Sequence, residues 1–165
     1  MTEMWQSLID VLDEMQALYQ RLLELSGEKR HQLVQGKPGE LEAINRLEES
    51  LVIQGNELEH RRAKATAVIV TTCGLSNARP TLTELTAVAE PAAAERLHVF
   101  SRDFGATLKD LARLNSVNAK LTEKALGFVN YNLNLLTRSQ AENTYAPVGT
   151  APMSRATSAL LDRKV

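Results

Sequence analysis

The side chains able to ligate a metal or attack a substrate are few and scattered. His31, His60 and His98 fall on three separate predicted elements, and none has a second His or Cys three or four residues away. A metal site needs several convergent ligands, so the three read as surface or boundary histidines. Cys73, the single cysteine, lies beside Gly74 in a predicted loop. A nucleophilic thiol needs an oriented base, and no residue pattern identifies one. One cysteine also excludes an internal disulfide and a multi-cysteine metal centre. Gly36-Lys37-Pro38-Gly39 is too short for a phosphate loop and lacks the flanking strand. The densest basic cluster, His60-Arg61-Arg62 with Lys64, is offset by Glu57 and Glu59. Duplex binding neutralises several phosphates at once, so a solvated helix face is the plainer reading. The expectation is a protein with no catalytic residues, metal or cofactor, and no nucleic-acid partner.

What remains is a chain of helices. Its 165 residues are 44% hydrophobic and only 4% aromatic, so the core must be mostly aliphatic. Such a composition with few Pro and Gly favours long helices or coiled coil, and a net charge of -1 gives no bulk electrostatic partner. The start of the chain shows no basic segment followed by an apolar one, so no signal peptide is read there. No apolar run approaches the ~18 residues of a membrane span. A cytoplasmic protein without membrane insertion is expected.

Trp5, Leu8, Leu12, Met15, Tyr19, Leu22 and Leu33 keep the helical period and predict a first helix over 3–35. Thr2 is placed as its N-cap. Gly27 within it allows a bend or a close helix approach, at a cost of about 1 kcal/mol relative to Ala. Gly36 and Pro38 stop this helix, leaving four loop residues before a second helix from about Glu40 to Thr71. A short link between helices of similar length favours an antiparallel hairpin. The β-branched run Ala67-Val68-Ile69-Val70-Thr71-Thr72 is kept helical because no second strand exists to pair with it. Thr81 and Glu84 match a capping box opening a short helix to about Ala89. Pro91 suits the first turn of the next helix.

That last helix is predicted to run to about Arg138. Leu97, Phe104, Leu111, Asn118, Ala125 and Asn132 share one heptad position, while Phe100, Thr107, Leu114, Leu121, Phe128 and Leu135 share another. About forty residues at ~1.5 Å each give a rod of roughly 60 Å, too long for a compact domain to cover evenly. The segment 121–136 carries apolar groups nearly all round, a pattern of a helix buried in a core or awaiting a partner. Its first half, 97–114, is assigned to the protein's own core and 121–136 to a partner, with Asn115 and Asn118 as the boundary. The fold expected is all-α: an antiparallel long-helix bundle or coiled coil of three main helices over 1–139. Residues 140–165 hold Pro, Gly, Ser and Thr without a period and read as a flexible tail.

The order of these patterns resembles the FlgN-type flagellar export chaperones. The likeness rests on Leu22-Leu23-Glu24-Leu25, Leu33-Val34-Gln35-Gly36, Leu58-Glu59 and Arg61-Arg62, on 111–136, and on Thr144-Tyr145-Ala146-Pro147-Val148-Gly149. The resemblance implies a cytoplasmic chaperone that holds the helical terminus of hook-associated proteins and prevents their aggregation. It further implies delivery to the cytoplasmic domain of the flagellar type III export gate. Carried onto this chain, substrate would lie along Leu114, Leu121, Ala125, Phe128, Val129, Tyr131, Leu135 and Leu136, while Tyr145 and Gly149 would meet the gate. The rival is a coiled-coil adaptor or self-associating structural protein. A homodimer stays open, although Thr107, Asn118, Ala125 and Asn132 make a poor uninterrupted seam.

Overall fold

The computed structural model describes the backbone of residues 2–142 and the side chains of residues 2–137. Among the described residues the chain is all-α, with α1 (Glu3–Gln35), α2 (Pro38–Cys73), α3 (Leu82–Val88) and α4 (Pro91–Glu142). It divides into two compact units, Met1–Gly127 and Phe128–Val165. The helix α4 enters both, and only residues 128–142 of the second are described.

Local chemistry sets the helix ends. Gly36 takes φ 67, the left-handed conformation a glycine adopts without a Cβ clash, and its amide returns to the Gln32 carbonyl. The Lys37 amide reaches the same oxygen at 3.2 Å. Pro38 then opens α2, since a first-turn residue needs no amide proton. The link is therefore two residues, not four. Thr2 does stand at the N-cap of α1, but its side chain caps nothing; its backbone N–H donates to the Glu90 carboxylate instead. The β-branched stretch is helical, and the Thr71 and Thr72 hydroxyls donate back to the Ala67 and Val68 carbonyls at 2.9 and 2.8 Å. At α3 the capping box forms as its residues predict: the Glu84 amide donates to Thr81 Oγ1 at 3.2 Å, and the Thr81 amide to Glu84 Oε2 at 2.6 Å. The last helix, α4, ends at Glu142 rather than near Arg138.

Cross-helix pairs fix the directions within the first unit. Glu14 pairs with Arg61, and Lys29 with Glu48, so numbers rise along α1 as they fall along α2. Asp13 pairs with Arg96, Tyr19 stacks edge-on against Phe104, and Ser26 bonds Asn115, so α1 and α4 rise together. The core is aliphatic around Trp5, Leu8, Leu12, Ile69 and Leu97, each no more than 3% exposed, with Leu85 of α3 sealing one side. A methyl built on Gly27 would stand 4.0 Å from Leu114 Cδ2, an ordinary contact. No close approach demands glycine there.

Candidate partner-binding site

The residues with chemical potential stay apart. His31, His60 and His98 are exposed on α1, α2 and α4, and Cys73 is exposed at the end of α2. Among the described residues no three His, Cys, Asp or Glu converge on a metal position. The basic cluster is spent on neighbours: Arg61 donates twice to Glu14, at 2.6 and 2.7 Å, and Arg62 twice to Glu59, at 2.7 and 2.6 Å. These hydrogen bonds hold both carboxyls below their usual range; burial opposes them, and the guanidinium charge adds a smaller lowering effect.

The interest lies along α4. Leu97, Thr107 and Asn118 are buried, and Phe100, Phe104, Leu111, Leu114 and Leu121 are half-buried. Thr107 accepts from Gln16 Nε2 at 3.0 Å. Further on, the Ser26 hydroxyl donates to Asn115 Oδ1 at 2.7 Å, while Asn118 Nδ2 donates to the Ser26 carbonyl at 2.8 Å and to its hydroxyl at 3.1 Å. Asn115 and Asn118 are thus not where the protein's own packing stops; they fasten α4 to α1. Asn118 is only 4% exposed, and Leu121 beyond it is still half-buried. The limit has a geometric cause. Leu114 lies beside Gly27, and α1 ends at Gln35. At equal rise per residue the α1–α2 turn therefore falls level with about Thr122.

From there the side chains open to solvent. Ala125 is exposed, and in the second unit Phe128, Val129, Tyr131, Leu133, Leu135 and Leu136 are all exposed, Phe128 by 68%. Projected at about 100° per residue, these six cover an arc of roughly 200°. Asn130, Asn134 and Thr137 occupy the opposite side, so this stretch is amphipathic rather than apolar all round. Asn132 sits in the middle of the apolar arc, half-buried among exposed neighbours. Of the eight residues expected to hold a partner, Leu114 and Leu121 are partly used by the protein's own packing, and the other six are open. Leu126 and Leu133, 59% and 54% exposed, were not among them; they fall between the heptad positions, where a narrow stripe does not look. Tyr145 and Gly149 lie outside the described residues.

Fold and surface together define a class: an all-helical protein that leaves an apolar arc open on its longest helix. Among the described residues no helix is long and apolar enough to cross a membrane. The family model described as FlgN protein matches residues 1–152, and the chain belongs to that family, whose members are chaperones in flagellum biogenesis and export. No curated protein and no solved structure matches it.

Proposed function

We propose that this chain is a cytoplasmic export chaperone for hook-associated proteins, and that its three long helices act as one antiparallel bundle presenting the end of α4. The observation that carries the reading is the apolar arc of Phe128–Leu136. Six large side chains stand in water on a regular helix, the kind of clustered apolar surface that marks partner sites. An amphipathic helix from the substrate terminus would cover it, as in other helix-on-helix recognition. Asn132 would bond a polar group of that partner inside the apolar contact. Covering the arc also hides the substrate's own apolar face, which is what prevents aggregation. No nucleotide-binding motif is present in the sequence, so release falls to the export machinery, with Tyr145 and Gly149 as the gate contact.

Size-exclusion chromatography with light scattering on a mixture with a hook-associated protein tests this. A discrete complex is expected. A stable homodimer of this chain that ignores the hook-associated protein supports the adaptor reading instead. Tyr145→Ala is expected to spare the complex and reduce secretion; loss of the complex would place Tyr145 in the substrate site.

A further inference from the structure

A net charge of -1 conceals an uneven layout of charge within the first unit. The helix α1 carries six acidic residues against three Lys or Arg, and α2 six against four. On α4 the balance turns. Taken at about 100° per residue, Arg102, Lys109, Arg113, Lys120 and Lys124 fall within about 60° of arc along one side of the helix. His98 extends this line at its start, and Glu95 precedes it. His98, Lys109 and Lys120 are eleven residues apart, as are Arg102, Arg113 and Lys124. Eleven residues close three turns to within about 20°, so the two rows run along the axis instead of winding around it. All six side chains are exposed, and they lie opposite Leu97, Phe104, Leu111 and Asn118, which are buried or half-buried. From Arg102 to Lys124 the stripe is about 33 Å long at ~1.5 Å per residue.

Between the cations the residues are small. Gly105, Ala106 and Ser116 lie on the same face, and a Cβ built on Gly105 would meet nothing within 4 Å. Arg102 pairs with Asp103 at 2.7 Å and Arg113 with Asp110 at 3.6 Å, both in exposed positions where an ion pair is worth little. Lys109, Lys120 and Lys124 have no ion pair among the described residues. We infer that this stripe rests on a phospholipid bilayer with anionic headgroups, α4 lying flat along the surface. Several Lys and Arg on one side of a helix are the pattern that such headgroups attract. A flat surface fits better than a partner that wraps the helix. Asp103 and Asp110 flank one side of the stripe and Glu123 the other, so a duplex groove would press phosphates against them, while a bilayer meets the cations alone. No aromatic residue lies on the stripe to stack on single-stranded nucleic acid or to anchor a protein contact, and lysine, three of the five cations, is depleted at protein interfaces. Since α1 and α2 are net acidic, this is the face an anionic surface draws toward itself. No helix among the described residues is long and apolar enough to cross a membrane, so the contact is adsorption and not insertion. Each Lys or Arg at such a surface is worth about fivefold in partition, and the three lysines together supply on the order of a hundredfold. These residues are not those of the chaperone reading, so the two are tested independently.

Co-sedimentation of the full chain with vesicles tests it, using phosphatidylcholine alone and phosphatidylcholine mixed with phosphatidylglycerol. Binding to the mixed vesicles in about 0.1 M salt is expected, with none to phosphatidylcholine. Release should follow at about 1 M, where the screening length falls from ~10 Å to ~3 Å. Lys109→Glu with Lys120→Glu and Lys124→Glu should lower the partition at least about a hundredfold, and the circular-dichroism melt should hold because all three side chains are exposed. Arg46→Glu, at an exposed cation of α2, should change the partition less than about twofold. Absence of binding to the mixed vesicles, equal binding to both kinds, or a triple variant that still binds overturns the inference. In the first case, capture of a short duplex DNA that the triple variant loses assigns the stripe to nucleic acid instead. If the triple variant melts early, Lys109→Gln, Lys120→Gln and Lys124→Gln taken singly replace it. Each should lose about fivefold, and an unchanged partition in all three refutes the bilayer contact.

Discussion

The double substitution Phe128→Asp with Leu135→Asp separates binding from folding. Phe128 is 68% exposed and Leu135 47%, so the folded chain draws little from either. A Phe that buries ~200 Å² when covered would gain about two-thirds of that from a partner, roughly 3 kcal/mol at ~25 cal/mol per Å². About half of the 1.5–3 kcal/mol for a fully buried Leu adds roughly 1 kcal/mol. Ordering of the partner takes back part of this sum. A net loss of about 3 kcal/mol remains, close to a hundredfold in Kd. Calorimetric titration against a hook-associated protein reads the loss, and far-UV circular dichroism checks the helix. Phe and Asp have similar helix propensity, and Leu→Asp costs only about 0.5 kcal/mol, so helicity should hold. A Kd within twofold of the parent refutes the arc as the substrate grip. A collapse of the thermal transition would show instead that these residues support the fold.

Other substitutions probe the frame that carries the arc. Gly27→Ala should stabilise by about 1 kcal/mol, because the new methyl meets Leu114 at ordinary contact distance while the helix gains a better former; a chain of this length should melt ~2–4 °C higher, and a lower melting point would mean that α1 and α4 approach more closely there. Asn118→Ala removes both bonds to Ser26, and should cost about 1–3 kcal/mol in a urea titration, whereas an exposed control such as Lys120→Ala should stay within about 0.5 kcal/mol. Thr81→Ala should cost about 1 kcal/mol by loss of the cap, with faster amide exchange in α3. The hydrogen bonds from the Thr81 amide and hydroxyl lower the Glu84 pKa from 4.5. A lowered folded pKa gives stability that is present above 4.5 and lost as pH falls through the folded value, so protection of α3 should decline below about pH 4.5 in the parent and less in Glu84→Gln.

How much of this was legible in the sequence depended on whether the signal was local. The bounds of α1 followed from apolar spacing and Gly36, and the α3 capping box from two residues three apart. Pro38 was legible as a stop, but its second role as the first residue of α2 depends on the helix that follows. The pairing of Asn118 with Ser26 was hidden, since two polar residues 92 positions apart carry no periodic mark, and the amides looked like a gap in the leucine pattern. The arc at Phe128–Leu136 was read from composition. Its member Leu133, and Leu126 just before the arc, were missed because a heptad stripe is narrower than the exposed apolar surface. The groove lined by α1, α2 and α4 was not legible at all, because it exists only where the faces of three helices meet.

The Ser26, Asn115 and Asn118 contact has a consequence for which pairings the chain can adopt. Leucine-rich helices slide against one another at little cost, because each heptad offers much the same surface to its neighbour. Shift α4 by one heptad, and Leu111 or Ala125 replaces Asn118 opposite Ser26. Neither has a side-chain donor for the Ser26 carbonyl or hydroxyl, and Asn118 would be pressed against apolar groups. Such a mismatch costs a few kcal/mol per stranded polar group, enough to make the slipped helix a minority. One polar contact near the middle of a greasy interface thus tells the correct alignment from its near-copies, as a single buried amide does in coiled coils. The identity of the residues left uncovered at the end of α4 is decided at Ser26.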